Sequence, residues 1–430
     1  FSNNRHLVIL GAGNHPSRIT RKHIAPVHHR IRSSPSPIDV AWLIFEQFVI
    51  ADSTGIGGSS RNGPSHGLHQ TFDQHPDVDL VALSDPSEDN RSRWIAESGA
   101  TTGYSDYEKM LATENPDIAV IAIHNYNQAR LETFLATVQS GVRGILIEKP
   151  VAAQPAHADE MVAAADAAGT QVVVAHRGRE NPSIREVKRR ADSGEWGPLI
   201  QIKAHGKGDH RCGVVDALVL GTHELNTMQF FADANPISCW GTVLINGSPA
   251  KRSDATEDQV YGAGLMAGDR VFAEYTFPNG IIGSYESMPV GTGTHSGEWL
   301  GCDLYFQNAV VTTRAKPNAQ LHVFPEGSVF AQPEVGSWEP LLPEGWTPPS
   351  SDPAATYWTE WKGSESTAAS NRSIGAELVR CLSENVTPLF ASSLTDAAST
   401  VDLIIGPQRS HLEGQRLDLP LHTRGNPWEA

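Results

Sequence analysis

Between about Asp77 and Ala175 the chain alternates short apolar runs with stretches of helical periodicity, the pattern of a parallel sheet joined by crossover helices. The runs VDLVALS (78–84), DIAVIAI (117–123), GILIE (144–148) and QVVVA (171–175) are almost continuously apolar, as strands covered on both faces are. Leu131, Phe134, Leu135 and Val138 recur at helical spacing, and Gly141 follows where a left-handed terminating residue is wanted. A second helix is predicted over about Ala158 to Ala168, stopping at Gly169.

After about Arg179 the pattern changes. LIQIKA (199–204), WGTVLI (240–245) and VFAEYTF (271–277) follow one another without a helix between every pair, which predicts a largely antiparallel sheet. VFAEYTF and IIGSYES (281–287) flank Pro278-Asn279-Gly280, a hairpin signal because Asn-Gly readily takes the positive φ of a tight turn. Residues 325–353 are rich in Pro and Gly and are expected to form a long surface excursion, with a helix resuming over about Ile374 to Ser383. The fold class is α/β: a Rossmann-type parallel-sheet domain over 47–178 and an α+β domain with a large, mostly antiparallel open sheet over 179–430.

Residues 1–46 fit this scheme less well. LVILGAG (7–13) has the form of a first Rossmann strand and glycine turn, but no helix pattern follows it; FVIADSTGIGGSSRNG (48–63) is a second candidate. The second is preferred, because Gly63 precedes Asp85 by 22 residues, close to the ~20-residue interval between such a turn and the acid that meets the ribose. The role of 1–46 stays open.

Composition narrows the function. With 430 residues, 39% of them hydrophobic, the chain can bury the cores of two domains. Lys plus Arg number 33 against 49 Asp plus Glu, and the net charge of −16 argues against nucleic acid and anionic membrane as partners. Cys212, Cys239, Cys302 and Cys381 lie far apart with no CxxC pair, so neither a zinc knuckle nor a disulfide framework is expected. No apolar run is long enough to span a bilayer and no signal peptide is legible, which makes a cytoplasmic location the default expectation. Asp209, His210, Asp216 and His223 lack tight ligand spacing, and no metal is expected.

A glycine-rich turn between strand and helix lets backbone N–H groups approach a pyrophosphate. In Gly58-Ser59-Ser60-Arg61-Asn62-Gly63 the outer glycines are correctly spaced, but Ser60 stands at the position of closest approach, and an ordinary flexible loop is the competing reading. Asp85 ends VDLVALSD, where its carboxylate can accept the ribose hydroxyls and repel a 2′-phosphate. That favours NAD, with NADP open because Arg91 and Arg93 follow; the alternative for Asp85 is a turn residue before Pro86.

At ILIEKPVA (145–152) the chain resembles the Gfo/Idh/MocA family, and the resemblance runs over about residues 48–410. Gly63 with Pro64-Ser65-His66 is similar to the end of the family's glycine turn, and Asp85 to its ribose acid. Asn127 stands where the family often has an Asn before its next helix, and Glu148-Lys149-Pro150 is similar to its signature. SGEWGPLIQIK (193–203) resembles the family's entry into the second domain, and LGTHELNTMQFF (220–231) its substrate-site helix.

The resemblance implies a cofactor set of Gly58, Ser60, Gly63, His66, Asp85, Asn127, Glu148 and Lys149, with Lys149 beside both nicotinamide and substrate carbon. It implies a substrate set of Lys149, His176, Arg177 and His223, with His223 as general base or substrate ligand. The acid often found four residues before that histidine is absent, since the position is Val219; Asp216 is the substitute, completing a catalytic set of Lys149, His223 and Asp216. Asn226 occupies a place where Asp is common, and Arg130 one where His is common. GKGDHRCG (206–213) has no counterpart in the family pattern. The activity implied is hydride transfer between NAD(P) and a secondary alcohol of a sugar, polyol or sugar derivative, in a homo-oligomer. A redox-neutral NAD-dependent glycoside hydrolase or eliminase and a non-catalytic dinucleotide sensor are the alternatives.

Overall fold

The computed structural model describes residues 7–8, 38–44, 68, 70–123, 126–289, 300–314, 322–324, 339–342, 345–352, 355 and 366–429. The first sheet contains β1 (Ile38–Ile44), β2 (Val78–Ser84), β3 (Thr102–Tyr104), β4 (Ile118–Ala122), β5 (Gly144–Ile147) and β6 (Gln171–Val174). These strands run parallel in the order β3-β2-β1-β4-β5-β6, with Ser392–Ser393 added antiparallel beside β6. In this doubly wound order the connection from β3 to β4 crosses the sheet, which opens a crevice between the carboxyl ends of β1 and β4. β4 and β5 are buried along their whole length, the physical counterpart of their unbroken apolar sequence.

The first strand corrects the sequence reading. IDVAWLI occupies the central first-strand position, pairing β2 on one side and β4 on the other, so the first domain includes residues before 47. Leu7–Val8 is also registered parallel to Ile118–Ala119. The segment preferred from sequence (48–63), and with it Gly58, Ser60, Gly63 and His66, lies outside the described residues.

The crossover helices follow their periodicity. They are α1 (Glu88–Ser98), α2 (Tyr107–Glu114), α3 (Gln128–Gln139) and α4 (Pro155–Ala168). α3 buries Leu131, Phe134 and Val138 on one stripe. α4 begins earlier than the apolar pattern indicates because Pro155 stands at its start, where a missing N–H costs nothing, and it ends on left-handed Gly169.

Beyond β6 come α5 (Arg177–Glu180) and α6 (Pro182–Asp192), then β7 (Leu199–His205), α7 (Val214–Val219) and α8 (Gly221–Ala232). β8 (Ser238–Ile245), β9 (Arg270–Thr276), β10 (Ile282–Ser287), β11 (Gly301–Phe306) and β12 (Val310–Arg314) complete the body of the second sheet, ordered β8-β9-β10-β7-β11-β12. The expected hairpin joins β9 to β10 through Gly280 at φ 85°. All neighbours in this body are antiparallel except β10 and β7, which run parallel.

The chain then returns to the first domain. α9 (Ser366–Glu384), longer than predicted, packs on β5 and β6, while α10 (Leu394–Glu413) lies against both α4 and β8. That seat needs Gly241 on β8, since a Cβ there would stand 2.2 Å from the Pro407 carbonyl oxygen of α10. Gly241→Ala is therefore expected to lower stability by about 1–3 kcal/mol through forced separation of helix and sheet, read as a lower denaturation midpoint. An unchanged midpoint would show that α10 is not held this closely. Among the described residues no helix is long and apolar enough to cross a membrane.

Candidate active site at the carboxyl ends of the parallel strands

β5 and β6 are paired in register, Ile147 opposite Val174, and Ala175 N donates to Ile147 O at 2.9 Å. Glu148-Lys149 and His176-Arg177 therefore leave two neighbouring strands at the same edge, where open α/β sheets bind their ligands. The Lys149–Pro150 peptide is cis. Lys149 is 1% exposed, and its Nζ donates to Val219 O at 2.7 Å, across to the end of α7. Burial pulls its pKa down to about 8, with Arg177, Arg211 and Arg130 acting in the same direction and Glu148 opposing them. An amine that loses its proton this readily can take or give one near neutral pH.

Arg130 holds the strand ends. Its guanidinium donates to Glu148 O at 2.8 Å and also to Pro150 O and Ile123 O, joining the exits of β4 and β5. It is wholly buried and lies over the Tyr126 ring at 4.5 Å. Arg130 shares a face of α3 with buried Thr133, Phe134 and Thr137, and a charge on such a buried stripe is the sequence signal that marks it. Asn127 is the N-terminal flanking residue of the same helix, its backbone O accepting from Arg130 N and Leu131 N and its side-chain oxygen from Gln154 Nε2 at 3.4 Å.

The substrate-side residues gather at the neighbouring edge. His176 is buried, its Nε2 is 2.9 Å from Thr222 Oγ1, and its ring meets that of His223 edge-on at 5.8 Å. Burial first, then Arg179 and Lys149, hold its pKa well below the usual range, so the ring is neutral. Its Nδ1 has no hydrogen-bond partner among the described residues. His176 thus meets His223, and the charge of Lys149 acts on His176 as that of Arg177 acts on Lys149.

Asp216 is turned elsewhere. Its Oδ2 accepts from Ser287 Oγ at 2.6 Å and from Gly208 N at 3.2 Å, tying α7 to the second sheet. Gly206 makes room for it, because a Cβ there would lie 2.3 Å from Asp216 Oδ2. The residue of α7 that meets Lys149 is Val219, through its carbonyl. The one-turn helix presents its end to Lys149 and its acid to the sheet, which corrects the placing of Asp216 beside Lys149. Asn226 likewise serves packing, donating to Ser392 Oγ and Thr400 Oγ1.

The loop without a family counterpart supplies a residue that sequence reasoning missed. Arg211 is held by Asp209 at its Nε, 3.0 Å away, and its charge acts on Lys149, Tyr126 and Tyr261. Tyr261 stacks on Tyr126 with centroids 5.8 Å apart, and Tyr126 N donates to Tyr261 O at 2.9 Å. Two loops of the second domain thereby close over the strand ends of the first.

At the other side of the crevice, Asp85 follows β2 and is 1% exposed. Its Oδ1 accepts from Ser87 N at 2.8 Å and its Oδ2 from Asn90 Nδ2 at 3.2 Å, so it is a turn residue as well as a ribose candidate. An ionised carboxylate has about four acceptor sites, so lone pairs remain. Burial raises its pKa to about 6 against those two bonds and the charges of Arg91 and Arg93. Arg91 donates to Asp85 O at 2.7 Å and Pro86 O at 2.9 Å, which holds its guanidinium on backbone. An acid at one end of the crevice, and Lys149 with the orphaned His176 Nδ1 at the other, fit a dinucleotide laid across the switch point.

Residues 53–176 match the sequence model of an oxidoreductase family with an NAD-binding Rossmann fold, Gfo/Idh/MocA. That match, under a third of the chain, makes residues 53–176 a Gfo/Idh/MocA-type NAD-binding domain. The matched family is NAD-binding. A D-xylose 1-dehydrogenase [NADP(+)] of Haloarcula marismortui is 26% identical over 158 residues, 33% of this chain and 42% of that protein. The alignment thus spans less than half of the curated relative. Among solved structures, an oxidoreductase domain protein from Kribbella flavida has a TM-score of 0.64 at 17% identity, covering 83% of this chain and 96% of that one. Levoglucosan dehydrogenase, in complex with NADH and levoglucosan, has a TM-score of 0.63 at 14% identity, covering 84% and 98%. These likenesses extend the shared fold beyond the matched domain into the second one.

Proposed function

We propose that this protein is an NAD-dependent dehydrogenase acting on a secondary alcohol of a sugar, polyol or sugar derivative. The observation that carries the reading is Lys149: a buried amine with its pKa lowered to about 8, at the carboxyl end of β5 inside the dinucleotide crevice. Bound there, the dinucleotide supplies the hydride acceptor. Neutral Lys149 takes the hydroxyl proton, and its charged form steadies the alkoxide in the opposite direction. Glu148 and Arg130 keep the strand end in place, while His223 and neutral His176 line the substrate side. The Haloarcula relative and levoglucosan dehydrogenase, both named for sugar substrates, support the substrate class.

The test is fluorescence titration with NADH and NADPH, followed by absorbance at the nicotinamide band with sugars and polyols. Substrate-dependent formation of NADH is the expected result; tight binding without net reduction would move the reading to a redox-neutral enzyme. NADH is expected to bind more tightly than NADPH, because Asp85 stands at the ribose position while Arg91 is engaged by two backbone carbonyls. Asp85→Ser should weaken NADH by about 10- to 100-fold, the loss of charge-assisted hydrogen bonds of about 1.5–3 kcal/mol. It should leave NADPH less affected, and equal losses for the two cofactors would remove Asp85 from the ribose site.

A further inference from the structure

Arg177 differs from the guanidinium groups around it. Arg130 is held by three carbonyls, Arg211 by Asp209, and Arg179 by Asp396 at 2.8 Å. Arg177 makes no hydrogen bond or ion pair through its side chain with any described residue, although it is half-buried. It begins α5 directly after the tight turn that ends β6, next to the exit of β5 that carries Lys149. Its charge acts on Lys149 and on Glu148. Glu148 thus serves as a counter-charge for both cations, and an oxidised nicotinamide bound there would add a further positive charge, which leaves room for a second anion.

We infer that Arg177 receives a carboxylate of the substrate, so that the substrate class is a sugar acid, an aldonate or uronate, and not a neutral sugar. The inference rests on the dehydrogenase reading and deepens it. The guanidinium fork matches a planar carboxylate with two parallel hydrogen bonds. Arg177 and Lys149 follow neighbouring strands at one edge of the sheet, and the charge of one acts on the other, so a single small substrate can meet both. His176 Nδ1, buried and without a described partner, offers a hydrogen bond to a further hydroxyl.

The test is calorimetric titration of the NADH-loaded protein with four- to six-carbon sugar acids, their neutral sugars and polyols, and a sugar phosphate. At least one acid is expected to bind tenfold or more tightly than its neutral counterpart. Arg177→Met should abolish that preference, with the acid's affinity falling to that of its neutral counterpart, and Arg177→Lys should keep part of it. Absence of acid binding, equal affinity for acid and neutral ligands, preference for the phosphate, or an acid preference that survives in Arg177→Met would each overturn the inference. Turnover separates the two claims. NAD reduction by neutral polyols without acid binding would leave the dehydrogenase reading standing and this inference fallen. Acid binding through Arg177 with no hydride transfer to any ligand would do the reverse.

Discussion

Lys149→Met is expected to lower kcat/KM for alcohol oxidation by about 10²- to 10⁴-fold, the range of a lost acid–base group, with NADH affinity nearly intact. Methionine keeps the length and apolar stem and removes only the titrating nitrogen. The wild-type profile carries the same argument. Oxidation needs the neutral amine, so kcat/KM should rise with pH and level off above about 8, while the reverse reduction should fall over the same window. Stability follows its own sign. The folded pKa, about 8, lies below the ordinary 10.5, so charging Lys149 is penalised in the folded state and that penalty is relieved as pH rises from about 8 to 10.5. At neutral pH the Met variant should therefore be no less stable than the wild type, despite losing the bond to Val219 O. Steady-state kinetics and scanning calorimetry on one preparation check both halves. Turnover retained in the variant would end the assignment of Lys149 as the proton-transfer group.

Lys149 was legible in the sequence because strand and signature agree there: GILI is too apolar to be anything but a buried strand, and Glu-Lys-Pro then stands at its carboxyl end. The same logic found β2, β4 and β6, whose apolar runs admit one reading. The first strand was not legible, since LVILGAG, IDVAWLI and FVIADS all have the composition of a central strand. The choice depends on pairing with Leu80 and Val120 on either side, which is long-range information. Asp216 misled because spacing along one helical turn says which residues share a face, and not which face meets Lys149. Arg211 was invisible for the opposite reason: its loop has no periodicity, and only the fold of the second domain carries it over the strand ends of the first.

Arg130→Met should give the largest loss of stability among the site residues, about 3–5 kcal/mol, because it strips a charged donor from buried acceptors. Ile123 O, Glu148 O and Pro150 O all accept from this guanidinium. They lie where the chain has left the sheet ladder and has no neighbouring strand to satisfy them. Burial lowers the Arg130 pKa to about 10 against the pull of Tyr126 and Glu148, so the group stays charged at neutral pH and donates through several N–H groups at once. A lysine there has a single point of charge and cannot span three carbonyls in one plane, so Arg130→Lys should recover only part of the loss. Denaturation midpoints in urea are the measure, with the pH profile of residual activity as the second readout. If Arg130 positions Glu148-Lys149, the surviving activity at low temperature should show a lower kcat and an apparent pKa moved from about 8. A destabilised protein with the wild-type profile would make Arg130 a purely structural clamp, and a wild-type midpoint would mean that water satisfies the three carbonyls without it.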